Sequence, residues 1–528
     1  MRTNILLFSN YRVTMIIKVY YFMTMISSLM IVEAFHVPRS LVPSSSLLLN
    51  ESPVIYDEIR LEEYAATGPS FWEALWGIGS NGSPWEYMIS MREKGYDGLV
   101  PVDLGPVGKY NFLLSPEVVR AATVEEAKLL PRRFSVSLFE TLELDKGIVY
   151  EQGQRHKRHK KICLPSFEQA RSMDSFVQAT RAELDTLSRE FSTQNKLDLY
   201  AEMRRSALNV VLDVTFGLGS EGASEFSKAD ELSQVIGEYL ERIVALANEI
   251  PPLWQISPRL SYNYIRVTDV LLPTLRQLVA EVIQTRRLQN DDSTTKKKER
   301  ADLLGVLVEQ PELDDSDIRS ILFDVVIAGS DTTASTTTAA LYVLHRPENE
   351  EWLRKAREEA VKSTSRDESI PLNELRSEMP LIVGVAREIL RLYPPVPFVG
   401  RTATADGSLC AGQFPVVDGE TYCFSPWFLG RDPKAWGSDA EDFNPGRWVE
   451  YPQNGGPDIS SYSWLPFGAG PRGCLGTRLG LTEVVLGIAR LLSDFEFKFD
   501  QSGPLPVKYD LTLNLDGVMG CEIYPLRK

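Results

Sequence analysis

The chain has 528 residues, 43% hydrophobic and 24% charged, an ordinary globular composition with enough length to bury a large core. Its net charge of −16 leaves no overall basic field to draw phosphates, so no nucleic-acid partner is expected. The five cysteines (Cys163, Cys410, Cys423, Cys474, Cys521) are odd in number, scattered and free of CxxC spacing, which argues against a disulfide framework or a tetrahedral zinc site.

Near the N-terminus, Val19–Val32 is a 14-residue apolar run preceded by Arg12 and Lys18. It is shorter than the roughly 20 residues of a spanning helix and suits the hydrophobic stretch of a signal peptide. Ala34-Phe35 then leads into HVPRSLVPSSSLLLN, which is Ser-rich and free of acids. The two segments together resemble the two-part plastid-targeting presequence of algae with secondary plastids. The alternative is a membrane anchor in the endoplasmic reticulum. Residues 1–50 are therefore set apart as presequence or anchor, and residues 51–528 are expected to form the folded domain.

Gly98–Ala122 alternates apolar residues with Gly and Pro and then turns helical after Ser115-Pro116, predicting a small sheet and a capped helix. From Pro165 to about Leu288 the pattern is mostly helical, with punctuation at Gly217–Gly222 and Pro251-Pro252. The polar stretch QNDDSTTKKKERAD, Gln289–Asp302, reads as a solvated loop. Helical patterns resume to about Leu392. A proline-rich, strand-like segment, YPPVPFVGRTATADG, comes next, followed by irregular chain, a glycine-rich loop around Cys474, a helix through about Leu492 and a strand-like tail. The fold class expected is mainly α with a minor β portion, in one large body.

Within the helical part, Asp314–Pro347 begins with capping acids and ends at a proline. Ile318, Leu322, Val325, Gly329, Thr332 and Thr336 share one stripe at 3- and 4-residue spacing. The stripe starts apolar and turns into Gly and Thr, poor residues for a helix middle. Thr can also bond back to the i−4 carbonyl and bend the helix. A weak, polar point at the centre of a buried helix is one reading; an exposed Thr-rich face is the other.

In WLPFGAGPRGCLGTRLGLTEV, Cys474 is crowded by Gly468, Gly470, Gly473 and Gly476, with Pro466, Pro471 and Arg472 close by. A thiol at a helix start meets unpaired N–H groups and the positive end of the helix dipole, which favour thiolate. A nucleophilic thiolate usually needs a histidine base, and His36, His156, His159 and His345 form no recognisable partner motif. Glycines that let backbone approach a flat group and point N–H donors at sulfur fit a metal ligand better. An inert buried Cys in a Gly-rich turn is the alternative.

Phe467-x-x-Gly470-x-Arg472-x-Cys474-x-Gly476 matches the heme-ligand signature of the cytochrome P450 superfamily. The resemblance runs from about Gly98 to the C-terminus, with five motifs in the family's order. It implies the cytochrome P450 fold, a long central helix over a buried heme b (iron protoporphyrin IX). Cys474 would be the axial thiolate, in a loop shaped by Phe467, Gly468 and Gly476, and Arg472 would pair with a heme propionate. Ala328-Gly329-Ser330-Asp331-Thr332-Thr333 resembles the central-helix motif, in which Ala328 and Gly329 open a groove for dioxygen and Asp331 and Thr332 deliver protons. Arg401 stands where related enzymes contact a propionate. Glu388-x-x-Arg391 and Arg447, within Phe443-x-Pro445-x-Arg447-Trp448, look like the family's buried charge network.

One motif departs from the pattern. In GQRHKRHKKICLPSF, Gly153–Phe167, His156 stands where the family usually has Trp, and Lys160 stands where it has Arg. Both can donate to a carboxylate, Lys as a point charge instead of a fork. The same basic cluster could face an acidic redox partner or simply solvent. The resemblance implies a monooxygenase that inserts one atom of O2 into a small apolar substrate, with two electrons from a ferredoxin or an NADPH-dependent flavoprotein reductase. A plastid location makes isoprenoids or carotenoids the first substrate class and fatty acids the second; a reticular location would bring membrane association. Electron-independent rearrangement of a peroxide and a non-catalytic heme sensor are the alternatives, and the acid–threonine pair counts against both.

Overall fold

The computed structural model describes residues 68–526 apart from 106–107, 135–138, 140–141, 143–145, 218–228, 248, 250–252, 292–301, 365–374, 450–461 and 510–511. The expected presequence or anchor, with His36 and the boundary at residue 51, lies outside the described residues. Helices of ten or more residues are numbered here.

Ser70 and Ser83 accept the N–H groups of Glu73 and Glu86, which starts α1 (Phe71–Asn81) and α2 (Pro84–Glu93). Strands β1 (Leu99–Asp103) and β2 (Lys109–Leu113) pair antiparallel, Leu99 opposite Leu113, and Ser115 caps the short helix Pro116–Arg120. This is the sheet and capped helix that the sequence predicts. Strand β3 is only Arg132–Arg133. Next come α3 (Gly153–Glu168), α4 (Ala170–Phe191), β4 (Lys196–Asp198) and α5 (Leu199–Phe216). Asp198 caps α5, and Gly217 ends it in the left-handed region at φ +68°.

Helices α6 (Ala229–Ala247) and α7 (Leu272–Asp291) follow. Here the solvated-loop expectation for residues 289–302 needs correcting at both described ends. Helix α7 runs on to Asp291, and Asp302 is buried. Both Asp302 oxygens accept from Arg286 Nη1 at 2.8 Å, and Oδ1 also accepts the Gly305 N–H. Local polarity says nothing of a partner packed one helix away, and a buried pair of this kind holds only when its remaining groups are also bonded.

Helix α8 (Asp315–Leu344) has 30 residues and opens with a reciprocal capping box between Asp314 and Asp317. At 1.5 Å per residue it is about 45 Å long and crosses the whole domain. Its first half packs Ile318 and Leu322 among the apolar residues of α5, α6 and α7. Its second half packs Leu341 and Leu344 with α4, α9 (Glu350–Thr364), α10 (Pro380–Leu392) and the last helix. Thr333, Thr336, Thr337 and Thr338 are buried, so the exposed-face reading of this helix does not hold.

Strands β5 (Val399–Thr402), β6 (Gly407–Leu409), β7 (Phe414–Val416) and β8 (Thr421–Phe424) follow. Helix α11 (Thr477–Asp494) then leads to β9 (Phe495–Phe499), β10 (Val507–Tyr509), β11 (Leu513–Leu515) and β12 (Gly520–Pro525). The main sheet has the order β1-β2-β8-β5-β3, a second sheet has β4-β12-β9, and β6-β7 and β10-β11 are hairpins. Helices dominate and strands are the minor part, as expected.

Candidate heme site

The Cys474 loop owes its shape to backbone that only glycine adopts. Gly468 and Gly470 both have φ +65°, and a Cβ on Gly470 would stand 1.9 Å from the Thr123 carbonyl oxygen. The Cys474 N–H donates to the Phe467 carbonyl at 2.9 Å, and the Thr477 hydroxyl donates to the Cys474 carbonyl at 3.0 Å. Cys474 keeps accessible surface, but that surface belongs to a cavity wall and the sulfur is otherwise deep in protein. Burial raises its pKa. The Gly476 N–H, Arg133, Thr477 and Lys160 pull it down without prevailing. Those neighbours act in the direction that the helix start predicts, against the desolvation of the charged sulfur.

The cavity, about 320 Å³, lies between this loop and α8. From α8 it is lined by Val325, Ala328, Gly329, Thr332, Thr333 and Thr336. Thr332 Oγ1 donates to the Ala328 carbonyl and Thr336 Oγ1 to the Thr332 carbonyl, both at 2.7 Å, the back-bonding that the Thr-rich stripe predicts. Gly329 also serves packing, because a Cβ there would approach the Val211 side chain of α5 to 2.8 Å. Asp331 is not among the cavity-lining residues. Its Oδ1 accepts from Arg204 Nε of α5 at 2.9 Å.

Arg401, Arg472, His156 and Lys160 all line the same cavity, and so does Arg133 of β3, which no sequence motif singles out. Arg133 Nη2 donates to the Arg472 carbonyl at 2.9 Å. Arg472 gives Nε to the Pro131 carbonyl and Nη2 to Gln152 Oε1, and Arg401 gives Nη1 to the Gly400 carbonyl. Arg133 Nε and Arg472 Nη1 are buried without a hydrogen-bond partner. Burial, then Arg133 and Arg472, push Arg401 down to about 9. Burial, then Arg472 and Lys160, push His156 down to about 3, so its ring is neutral. Burial and Arg133 lower Arg472 to about 10. In each case burial leads and neighbouring cations add to it, and a flat group carrying two carboxylates would offset both.

Lys160 sits less simply than the motif implies. Its Nζ donates to the Pro471 carbonyl at 2.8 Å and the Gly473 carbonyl at 3.0 Å, so two of its three donors clamp the cysteine loop. His159 is buried beside Glu151 at 3.0 Å, and His345 Nδ1 lies 2.7 Å from the Leu341 carbonyl, so neither is a base for Cys474. Two acids without any motif also line the cavity: Asp324 of α8, raised to about 7 by burial, and Glu483 of α11, raised to about 8 by burial and then by Glu183.

Away from the cavity, Glu388 and Arg391 are fully buried on α10, with Arg391 Nη2 2.7 Å from Glu388 Oε1 and Nε 2.9 Å from Oε2. Arg447 Nε, the Trp448 indole N–H and the Asn444 N–H also reach the Glu388 carboxylate, at 3.3, 2.9 and 3.0 Å. Arg447, the second cation of the network, is also met by Asp439, a partner that no motif reveals, at 2.5 Å. The network is closed.

The family model for cytochrome P450 matches residues 65–517. Cytochrome P450 78A11 of Oryza sativa subsp. japonica is 29% identical over 350 residues, 63% of this chain and 61% of that protein, so less than two thirds of that relative is spanned. Protein LUTEIN DEFICIENT 5, chloroplastic, of Arabidopsis thaliana is 26% identical over 428 residues, 78% of this chain and 69% of that protein. The crystal structure of the cytochrome P450DA heme domain superposes with a TM-score of 0.68 at 20% identity, covering 84% of this chain and 92% of that one.

Proposed function

This chain belongs to the cytochrome P450 family, and from that premise we propose that it is a heme-thiolate monooxygenase acting on a small apolar substrate. The observation that carries the reading is one cavity lined by Cys474, by Gly329 and Thr332 of α8 and by basic side chains, two of them with a buried, unpartnered N–H group. Heme b, when bound, supplies the iron that activates dioxygen and accepts electrons one at a time. Cys474 Sγ would hold that iron, with the loop kept in place by the Phe467 carbonyl and the Lys160 clamp. Arg133, Arg401, Arg472, His156 and the remaining donor of Lys160 would hold the propionates. Thr332 Oγ1 would pass a proton into the cavity, and Asp331, once parted from Arg204, would supply it from the α5 side. Phe176, Val211, Val214 and Val396 give the substrate an apolar wall and exclude water.

Two electrons would come from a ferredoxin or an NADPH-dependent flavoprotein reductase. Likeness to a protein whose name joins the chloroplast and lutein favours an isoprenoid or carotenoid substrate and a plastid location, with fatty acids and the endoplasmic reticulum second. No helix among the described residues is long and apolar enough to cross a membrane. Trp72 and Trp76, 74% and 64% exposed on α1, support contact with a membrane surface. The intact acid–threonine pair favours monooxygenation over peroxide rearrangement or heme sensing.

The test is product formed per electron pair consumed, beside the spectral shift on substrate binding. Thr332→Ala should keep the shift and keep consuming electrons while product per pair falls about tenfold, worth about 1.4 kcal/mol in the barrier. Asp331→Asn should slow turnover, because an amide cannot pass the proton. Parental behaviour of both variants would remove the relay. Lost binding with normal coupling would reduce the pair to pocket shape.

A further inference from the structure

Asp324 lies on α8 one turn before Ala328 and two before Thr332, and all three line the cavity. The residue is 4% exposed. Its Oδ2 accepts the Val149 N–H at 2.6 Å. The chain closes over the carboxyl at Gly147, where a Cβ would stand 2.3 Å from the Asp324 Cγ; any other residue would push the acid out of place. Ile148, Val149 and Val325 make the surrounding wall apolar. Burial raises the pKa to about 7, against the lowering effects of the Val149 bond and Arg133.

A carboxyl group can accept about four hydrogen bonds, and burying it is costly unless partners are supplied. One backbone N–H is a small return for that cost, since a neutral hydroxyl side chain could accept it equally well. A partner arriving from the cavity would complete the site. An ammonium would have to shed its water against the apolar wall of Ile148, Val149 and Val325, so a neutral donor fits best.

We propose that Asp324 is a specificity-determining residue whose second carboxyl oxygen accepts a hydrogen bond from a substrate hydroxyl. The enzyme then selects apolar molecules that already carry one alcohol group, placed away from the carbon that reacts. This rests on the cavity being the substrate pocket of the monooxygenase proposed above.

The experiment uses heme-loaded enzyme and a matched pair of probes, farnesol and the hydrocarbon farnesene, with dissociation constants from calorimetry and the Soret shift. The parent should bind the alcohol about tenfold tighter than the hydrocarbon. Asp324→Ala should lose that preference while its affinity for farnesene stays within about twofold of the parent. Asp324→Asn, which keeps the Val149 bond and only a neutral acceptor, should keep roughly a third of the preference. A parent that does not prefer the alcohol, or an Ala variant that loses both ligands equally, overturns the proposal; the second result is what a purely turn-capping Asp324 gives. If Asp324→Ala fails to retain heme, an unchanged preference in Asp324→Asn overturns it alone. Binding is read without turnover, so a failure of monooxygenation and a failure of alcohol selection are separate results.

Discussion

The charge cluster around Glu388 and the one around the cavity are built in opposite ways. Around Glu388 every charge has a counter-charge or a carbonyl: Arg391 on both carboxylate oxygens, Arg447 shared with Asp439, the Trp448 indole beside them. Around the cavity, Arg133, Arg401, Arg472, His156 and Lys160 gather with donors to carbonyls and one amide, and two of their N–H groups are buried without a partner. The first cluster is complete within the chain. The second is complete only with a dianion. Closure marks a residue set that holds the fold, and imbalance marks one that holds a ligand.

The largest effect should come from breaking the closed cluster. Glu388→Gln leaves Arg391 without a counter-charge in the interior, and Arg447 with Asp439 alone, and should cost about 3–5 kcal/mol of unfolding free energy by denaturant titration, with heme content falling as a consequence. An unchanged midpoint would show that the network is not structural. The open cluster should respond in the reverse order. Arg401→Ala removes a buried cation crowded by Arg133 and Arg472, so heme-free protein should lose little or no stability. Its heme should pass to a scavenging apoprotein roughly 10–100 times faster, for one charge-assisted bond worth about 1.5–3 kcal/mol. Equal losses of stability in both variants would erase the distinction.

The closed and open clusters were legible to different degrees. Cys474, Arg472, Glu388 and Arg391 sit in short motifs whose spacing is local, so the chain order alone brings them forward. The back-bond from Thr332 to Ala328 is equally local. Arg133 is different: it reaches the cavity only because the two residues of β3 pair with β5, Arg133 opposite Arg401. The Arg204 partner of Asp331 and the buried Asp302 are hidden for the same reason, since each depends on an element packed from elsewhere; Asp439 is near Arg447 in sequence, but in irregular chain whose spacing follows no period. Lys160 lines the cavity with Arg401 and Arg472, and its clamp on Pro471 and Gly473 is a contact across more than 300 residues of sequence.

A smaller effect tests the open cluster by pH. His156, with a folded pKa near 3 against an ordinary value of 6.5, binds its proton in the unfolded state first. Above pH 6.5 both states are neutral and nothing is lost. As pH falls below 6.5 towards 3, the unfolded state gains protons that the folded state refuses, and stability declines, by about 1–2 kcal/mol at pH 5. Heme-free His156→Phe should lose that part of the acid slope. A slope identical to the parent would mean that the ring is not held neutral.

The central claim is that the loop from Phe467 to Gly476 presents Cys474 to a heme iron. The reduced, carbon monoxide-bound spectrum tests it most directly, because a thiolate ligand gives a strongly red-shifted Soret band. The purified parent should show that band, and Cys474→Ala and Cys474→His should lose it while Glu388 and its partners remain undisturbed. Retention of the red-shifted band in Cys474→Ala would contradict the account.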